Sequence, residues 1–178
     1  AGNNNTAATQ FNWTFDNSVI SSSADNPRSV YAVDIDSDGD MDVLSASQSD
    51  DKVVWYENDG ASIPSFTART ITTSADGAWS VYAADIDNDG DMDVLSASAN
   101  DDKIAWYESD GAADPSFTAR TISTSADGAR SVYAADIDND GDMDVLSAST
   151  GDDKIAWYEN DGAADPSFTA RTIYTDAD

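Results

Sequence analysis

Apolar and polar positions change places along this chain in short runs, and no stretch sustains a helical period. Runs of six or seven residues rich in Val, Ile, Tyr, Trp and Ala are each closed by Asp, Asn, Ser or Gly, which is the pattern of short β-strands between turns. Twelve such runs stand out. SVYAVDI (29–35) has counterparts at 80–86 and 131–137. MDVLSAS occupies 41–47, 92–98 and 143–149. KVVWYE (52–57) returns as KIAWYE at 103–108 and 154–159, and SFTARTI fills 65–71, 116–122 and 167–173. The spacing predicts an all-β protein.

The runs recur in register every 51 residues, so the chain divides into repeats 21–71, 72–122 and 123–173. The second and third repeats differ only at Thr72/Ser123, Trp79/Arg130, Ala99/Thr150, Asn100/Gly151 and Ser109/Asn160. Four strands per repeat describe a propeller blade, a unit that stacks on its neighbours to bury its faces. Val30, Val43, Trp55, Tyr56, Phe66, Ile71 and their copies are the expected packing between blades. FDNSVI (15–20) lies 51 residues before FTARTI (66–71) and reads as a copy of the fourth strand with no blade of its own. The expected organisation is a polar tail (1–10), a spare outer strand (11–20), three four-stranded blades and a short C-terminal tail (174–178).

Between the first and second strands of each repeat stands one strongly patterned loop: DIDSDGDMD (34–42), DIDNDGDMD (85–93) and DIDNDGDMD (136–144). Aspartates at alternate positions around a central glycine suit a hard divalent cation, because they gather carboxylate oxygens about one point while the glycine permits the turn. In the first loop the candidate side-chain ligands are Asp34, Asp36, Asp38 and Asp42, with the carbonyl of Asp40. The second offers Asp85, Asp87, Asp89, Asp91 and Asp93 around Gly90. The third offers Asp136, Asp138, Asp140, Asp142 and Asp144 around Gly141. Five carboxylates in nine residues repel one another unless a cation neutralises them. All-oxygen ligation points to Ca²⁺, one per repeat, since Mg²⁺ prefers to keep several waters. An EF-hand is excluded: its twelfth position calls for a bidentate Glu, and Ser45, Ser96 and Ser147 stand there, between β-type flanks. The glycine-rich nonapeptide of calcium-binding β-helices is absent too.

The pattern SVYAADIDNDGDMDVLSAS…DDKIAWYENDG resembles the FG-GAP/VCBS repeats, which are related to the blades of the integrin α-subunit propeller. The resemblance extends over about residues 12–173, and the DxDxDGDxD loop before an apolar strand is its most specific element. It implies that each loop joins the first two strands of a blade and binds Ca²⁺. The Phe-Gly and Gly-Ala-Pro signatures of the integrin version are missing, so the chain looks like the bacterial VCBS branch, and integrin-type ligand binding does not carry over.

Composition narrows the function. Acidic residues number 35 against 8 basic, a formal net charge of −27 that three Ca²⁺ would reduce only to −21. Nucleic acids and anionic membrane surfaces select basic proteins, so neither is an expected partner. The chain lacks cysteine and histidine, which removes thiol chemistry and the commonest general base. No apolar run approaches the ~18 residues of a membrane span. A start at Ala1 fits a mature product after signal removal or a trimmed chain, and extracellular calcium suits such loops, so a secreted or cell-surface location is expected. Asn4-Asn5-Thr6 and Asn12-Trp13-Thr14 match the N-glycosylation pattern.

Three blades fall short of the four to eight of a closed propeller. A fragment of a longer propeller, a ring shared between copies and a head-to-tail filament all answer this, and self-association is favoured because open end blades would expose apolar faces. The expected function is a non-catalytic structural, adhesion or self-assembly module stabilised by Ca²⁺. The alternative is a carbohydrate-binding propeller, with Arg28, Trp79 and Arg130 as its best candidate position and a glycan or cell-surface partner. A polysaccharide-processing enzyme ranks last. The acidic pairs Asp50/Asp51, Asp101/Asp102 and Asp152/Asp153 each sit beside Lys52, Lys103 or Lys154, as in a charged turn.

Overall fold

The computed structural model describes residues 18–174. All twelve expected strands are present and the described residues contain no helix. Strands β1 (Pro27–Val33), β2 (Asp42–Ser47), β3 (Lys52–Asn58) and β4 (Phe66–Thr72) form one antiparallel sheet in that order. Repeat two builds β5 (Ala78–Ala84), β6 (Asp93–Ser98), β7 (Lys103–Ser109) and β8 (Phe117–Ser123). Repeat three builds β9 (Ala129–Ala135), β10 (Asp144–Ser149), β11 (Lys154–Asn160) and β12 (Phe168–Tyr174), with the same order. The first strand of each blade ends two residues before the sequence run does, because Asp34, Asp85 and Asp136 already bend into the loops.

Cross-strand register decides which side chains share a face. Tyr31, Leu44, Trp55 and Arg69 lie in one row, and the next row, Ala32–Val43–Tyr56–Ala68, points the opposite way. The blades stack so that the Trp-bearing face of one meets the Tyr-bearing face of the next. Leu44, Ala46, Val53 and Trp55 pack on Val81, Ala83, Val94 and Tyr107. Leu95, Ala97, Ile104 and Trp106 pack in the same way on Val132, Ala134, Val145 and Tyr158. The core therefore lies between sheets, as expected for propeller blades, and each fully buried Leu or Ile contributes about 1.5–3 kcal/mol.

The expected packing residues divide by blade. Val81 and Val132 are each 4% exposed, but Val30 is 71% exposed, because nothing in the described residues stacks before blade one. Ile173 is likewise exposed at the other end. The three sheets are stacked as propeller blades are, and among the described residues no further blade covers either end of the stack. In the spare-strand segment, Ser18–Ile20 carry no strand pairing, and residues 11–17 lie outside the described residues, as do both sequons.

The stack is also joined along its edges. The Asp51 carbonyl accepts from Ala75 N (3.0 Å) and its carboxylate from Gly77 N (2.8 Å), and Asp102 does the same for Ala126 and Gly128. Arg69 spans Glu57 (2.7 Å) of its own blade and Asp114 (2.6 Å) of the next, and Arg120 spans Glu108 and Asp165.

Candidate metal centres

Each loop is folded by its own aspartates. Asp34 accepts from Asp38 N (3.1 Å) and Gly39 N (3.0 Å), and Asp38 accepts from Asp40 N (2.9 Å). The second loop repeats these bonds at Asp85 and Asp89. Two left-handed residues make the tight path: Ser37, Asn88 and Asn139 at φ of 59–63°, then Gly39, Gly90 and Gly141 at 96–103°. The second value is comfortable only for glycine. The last aspartate of each loop opens the second strand and is buried: Asp42 and Asp93 are 1% exposed and Asp144 is fully enclosed. Its two carboxylate oxygens accept amides from two directions, Ile35 N (3.1 Å) and Asn58 N (2.8 Å) for Asp42, with equivalents at Asp93 and Asp144. That carboxylate ties the loop to the blade.

Of the fifteen aspartates singled out in the sequence, nine converge. Asp34, Asp36 and Asp42 place one carboxylate oxygen each within 4.8 Å of the others, as do Asp85, Asp87 and Asp93, and Asp136, Asp138 and Asp144. These are loop positions one, three and nine. The fifth-position residues Asp38, Asp89 and Asp140 turn a carboxylate oxygen to the amide two residues on. At the seventh position, the side chains of Asp40, Asp91 and Asp142 leave the cluster and lie against Gly60, Gly111 and Gly162, where a Cβ would fall 1.9–2.1 Å from the carboxylate. The glycine of the Asn/Ser-Asp-Gly turn, at φ of 63–67°, leaves room for that side chain, a pairing that spacing alone did not reveal.

The clusters have the electrostatics of a cation site. Loss of hydration raises the carboxyl pKa of Asp36, Asp87 and Asp138, and neighbouring carboxylates push the same way. Burial pushes Asp93 up to about 7, while the Ser109 and Ile86 amides pull it down. In the third loop Asp136 Oδ1 is buried without a hydrogen-bond partner. Three hard carboxylates, one of which leaves a buried oxygen without a partner in the third loop, fit a divalent cation, which would supply charge neutralisation and cross-link loop to strand. The residues to hold it are those of the three triads.

The other candidate positions resolve differently. Arg28, Trp79 and Arg130 are the extra residues of matching bulges in β1, β5 and β9. The bulges push them out together, and Trp79 is sandwiched, with the Arg28 guanidinium 4.2 Å and the Arg130 guanidinium 3.7 Å from its ring. The ring is half-buried and in contact with both guanidinium groups. Asp50 and Asp101 pair with Lys52 and Lys103 at 2.9 and 2.5 Å, and Asp152 pairs with Lys154, as charged turns do. Sequence reading missed a ladder of Tyr31, Tyr82 and Tyr133, with ring centroids 4.6 and 4.5 Å apart along the first strands. The 51-residue recurrence of SVYA was the signal for it.

Stacked four-stranded blades, each carrying one carboxylate cluster in the loop between its first two strands, define a β-repeat module with one candidate cation site per repeat. The family model for the FG-GAP-like repeat matches residues 34–96 and 94–147, well over half of the chain, and the chain belongs to that family. A search of curated proteins found no match.

Proposed function

We propose that this protein is a non-catalytic, calcium-binding structural module of the cell exterior, in which one Ca²⁺ pins each blade and copies self-associate. The observation that carries this reading is the equivalence of the three aspartate triads. Catalytic centres specialise one copy, whereas three alike sites in three alike blades suit a common structural task. Calcium is the metal best matched to carboxylates and a loop carbonyl, and millimolar free calcium outside the cell suits an exposed loop site. At a free concentration one hundred times the dissociation constant, each site would add about 2.7 kcal/mol, and three independent sites about 8 kcal/mol, as much as the whole stability of many domains.

Thermal unfolding in calcium, in magnesium and in excess EDTA tests this. The melting temperature should fall by well over 10 °C on chelation and recover with calcium far better than with magnesium. An identical melt in all three would overturn the reading. The carbohydrate-binding alternative is weakened at Trp79, whose ring is already engaged by the Arg28 and Arg130 guanidinium groups.

A further inference from the structure

We infer that the open face of blade three docks on the open face of blade one of a second copy, reproducing between chains the junction that joins the blades within one chain. The inference rests on the self-association reading above and specifies its surfaces. Ile155 is 39% exposed, whereas its equivalents Val53 and Ile104 are fully buried, and Ile137 is 40% exposed against 3% and 0% for Ile35 and Ile86. Blade one presents the complementary half through Val30, 71% exposed, and the half-buried Val43, while Tyr56 beneath them is buried beside Ala24. Two cavities of about 120 and 150 Å³ lie on this side of blade one and share Tyr56 and Ala24 in their walls. The two end faces differ from each other, and each matches a partner that the chain already uses twice. Such a contact is heterologous and runs head to tail.

The polar joint is preformed on both sides. Asp51 and Asp102 hold left-handed backbones (φ 58° and 56°) while they accept amides from the entry turn of the next blade, and Asp153 holds the same conformation (φ 49°). On the other side, Ala24 stands where Ala75 and Ala126 stand, and Asn26 takes φ 56°, close to Gly77 (68°) and Gly128 (64°). Asp153 of one copy would receive Ala24 N and Asn26 N of the next.

Loop contacts agree. Between blades two and three, Asn88 donates to Asp142 (2.7 Å) and Asn160 donates to the Ile86 carbonyl (2.9 Å). The first internal junction has Ser37 and Ser109 in place of these asparagines, but the ends restore them as Asn139 and Asn58, which in the junction between copies would face Asp40 and the Ile137 carbonyl. Tyr133, half exposed, would continue the tyrosine ladder onto Tyr31 of the second copy. One internal contact is not repeated: Ile63 replaces the aspartate that pairs with Arg69 and Arg120, so Arg171 keeps only Glu159. With a net charge of −27 per chain, association should strengthen with calcium and with salt.

Sedimentation velocity of the full chain in calcium and 0.5 M salt, with Val30→Arg and Ile155→Arg variants, tests the junction. The wild type should form species larger than a monomer, and each variant alone should remain monomeric. An equimolar mixture should form a heterodimer and nothing larger, because one variant keeps an intact blade-three face and the other an intact blade-one face. Unchanged circular dichroism and an unchanged calcium-dependent melt establish that the variants fold. A wild type that stays monomeric overturns the inference, as happens if the chain's own N-terminal residues cover blade one. Wild-type association that survives both substitutions leaves self-association standing and overturns this junction. A calcium-dependent melt without any association would retain the cation reading alone.

Discussion

Single positions that differ between near-identical repeats show what individual residues do. Ser37 occupies a left-handed position filled by Asn in the other two loops, and Asn tolerates that conformation better. Asn88 also donates to the following blade, which Ser37 is too short to do. Ser109 similarly replaces the buried Asn160, whose amide reaches the Ile86 carbonyl. Ser37→Asn and Ser109→Asn should therefore each stabilise the protein by about 1 kcal/mol, read as a rise of roughly 2–4 °C in melting temperature per substitution. Gly90 tests the opposite direction. A Cβ there meets nothing within 4 Å, so the cost of Gly90→Ala comes from φ of +99° alone. It should destabilise by about 1–3 kcal/mol and, on the proposed calcium reading, weaken binding at the second loop, checked by denaturant unfolding and by calorimetric titration.

At the level of elements, the loop and the strand after it act as one unit. The aspartate that opens β2, β6 or β10 holds two backbone amides and completes the triad, so the candidate cation site and the start of the strand form together. The bulges in β1, β5 and β9 are equally purposeful, since they expel residues 28, 79 and 130 into one Arg–Trp–Arg stack that spans all three blades. Trp79→Ala removes two cation–π contacts and should cost about 1–2 kcal/mol. Chemical denaturation of the variant in calcium measures this, and Trp79→Phe should recover part of the loss.

For the whole molecule, three blades built alike behave as a one-dimensional array in which stability comes from each repeat and from each junction. Only two junctions exist within a chain, so the end blades carry the exposed Val30 and Ile155 while the middle blade is covered on both sides. Melting should accordingly become concentration-dependent wherever copies associate. Cation binding and association would be linked in the proposed junction, because the loops that gather charge would also supply Asn139 and Asp40 to it.

The sequence by itself determined the repeat length, the twelve strands and the three aspartate loops, because alternation, turn residues and carboxylate spacing are local signals that a 51-residue recurrence writes three times. It also held the family, whose model matches residues 34–96 and 94–147. Register and stacking were decided only by the tertiary structure. Five equal-looking aspartates per loop separate into three that converge, one that braces the turn and one that lies against a distant glycine, because their directions depend on backbone torsions and on the neighbouring turn. Identical valines at 30, 81 and 132 differ in burial because a residue's environment depends on which blade precedes it, and Trp79 meets two guanidinium groups only because bulges on the other two blades bring their arginines to it.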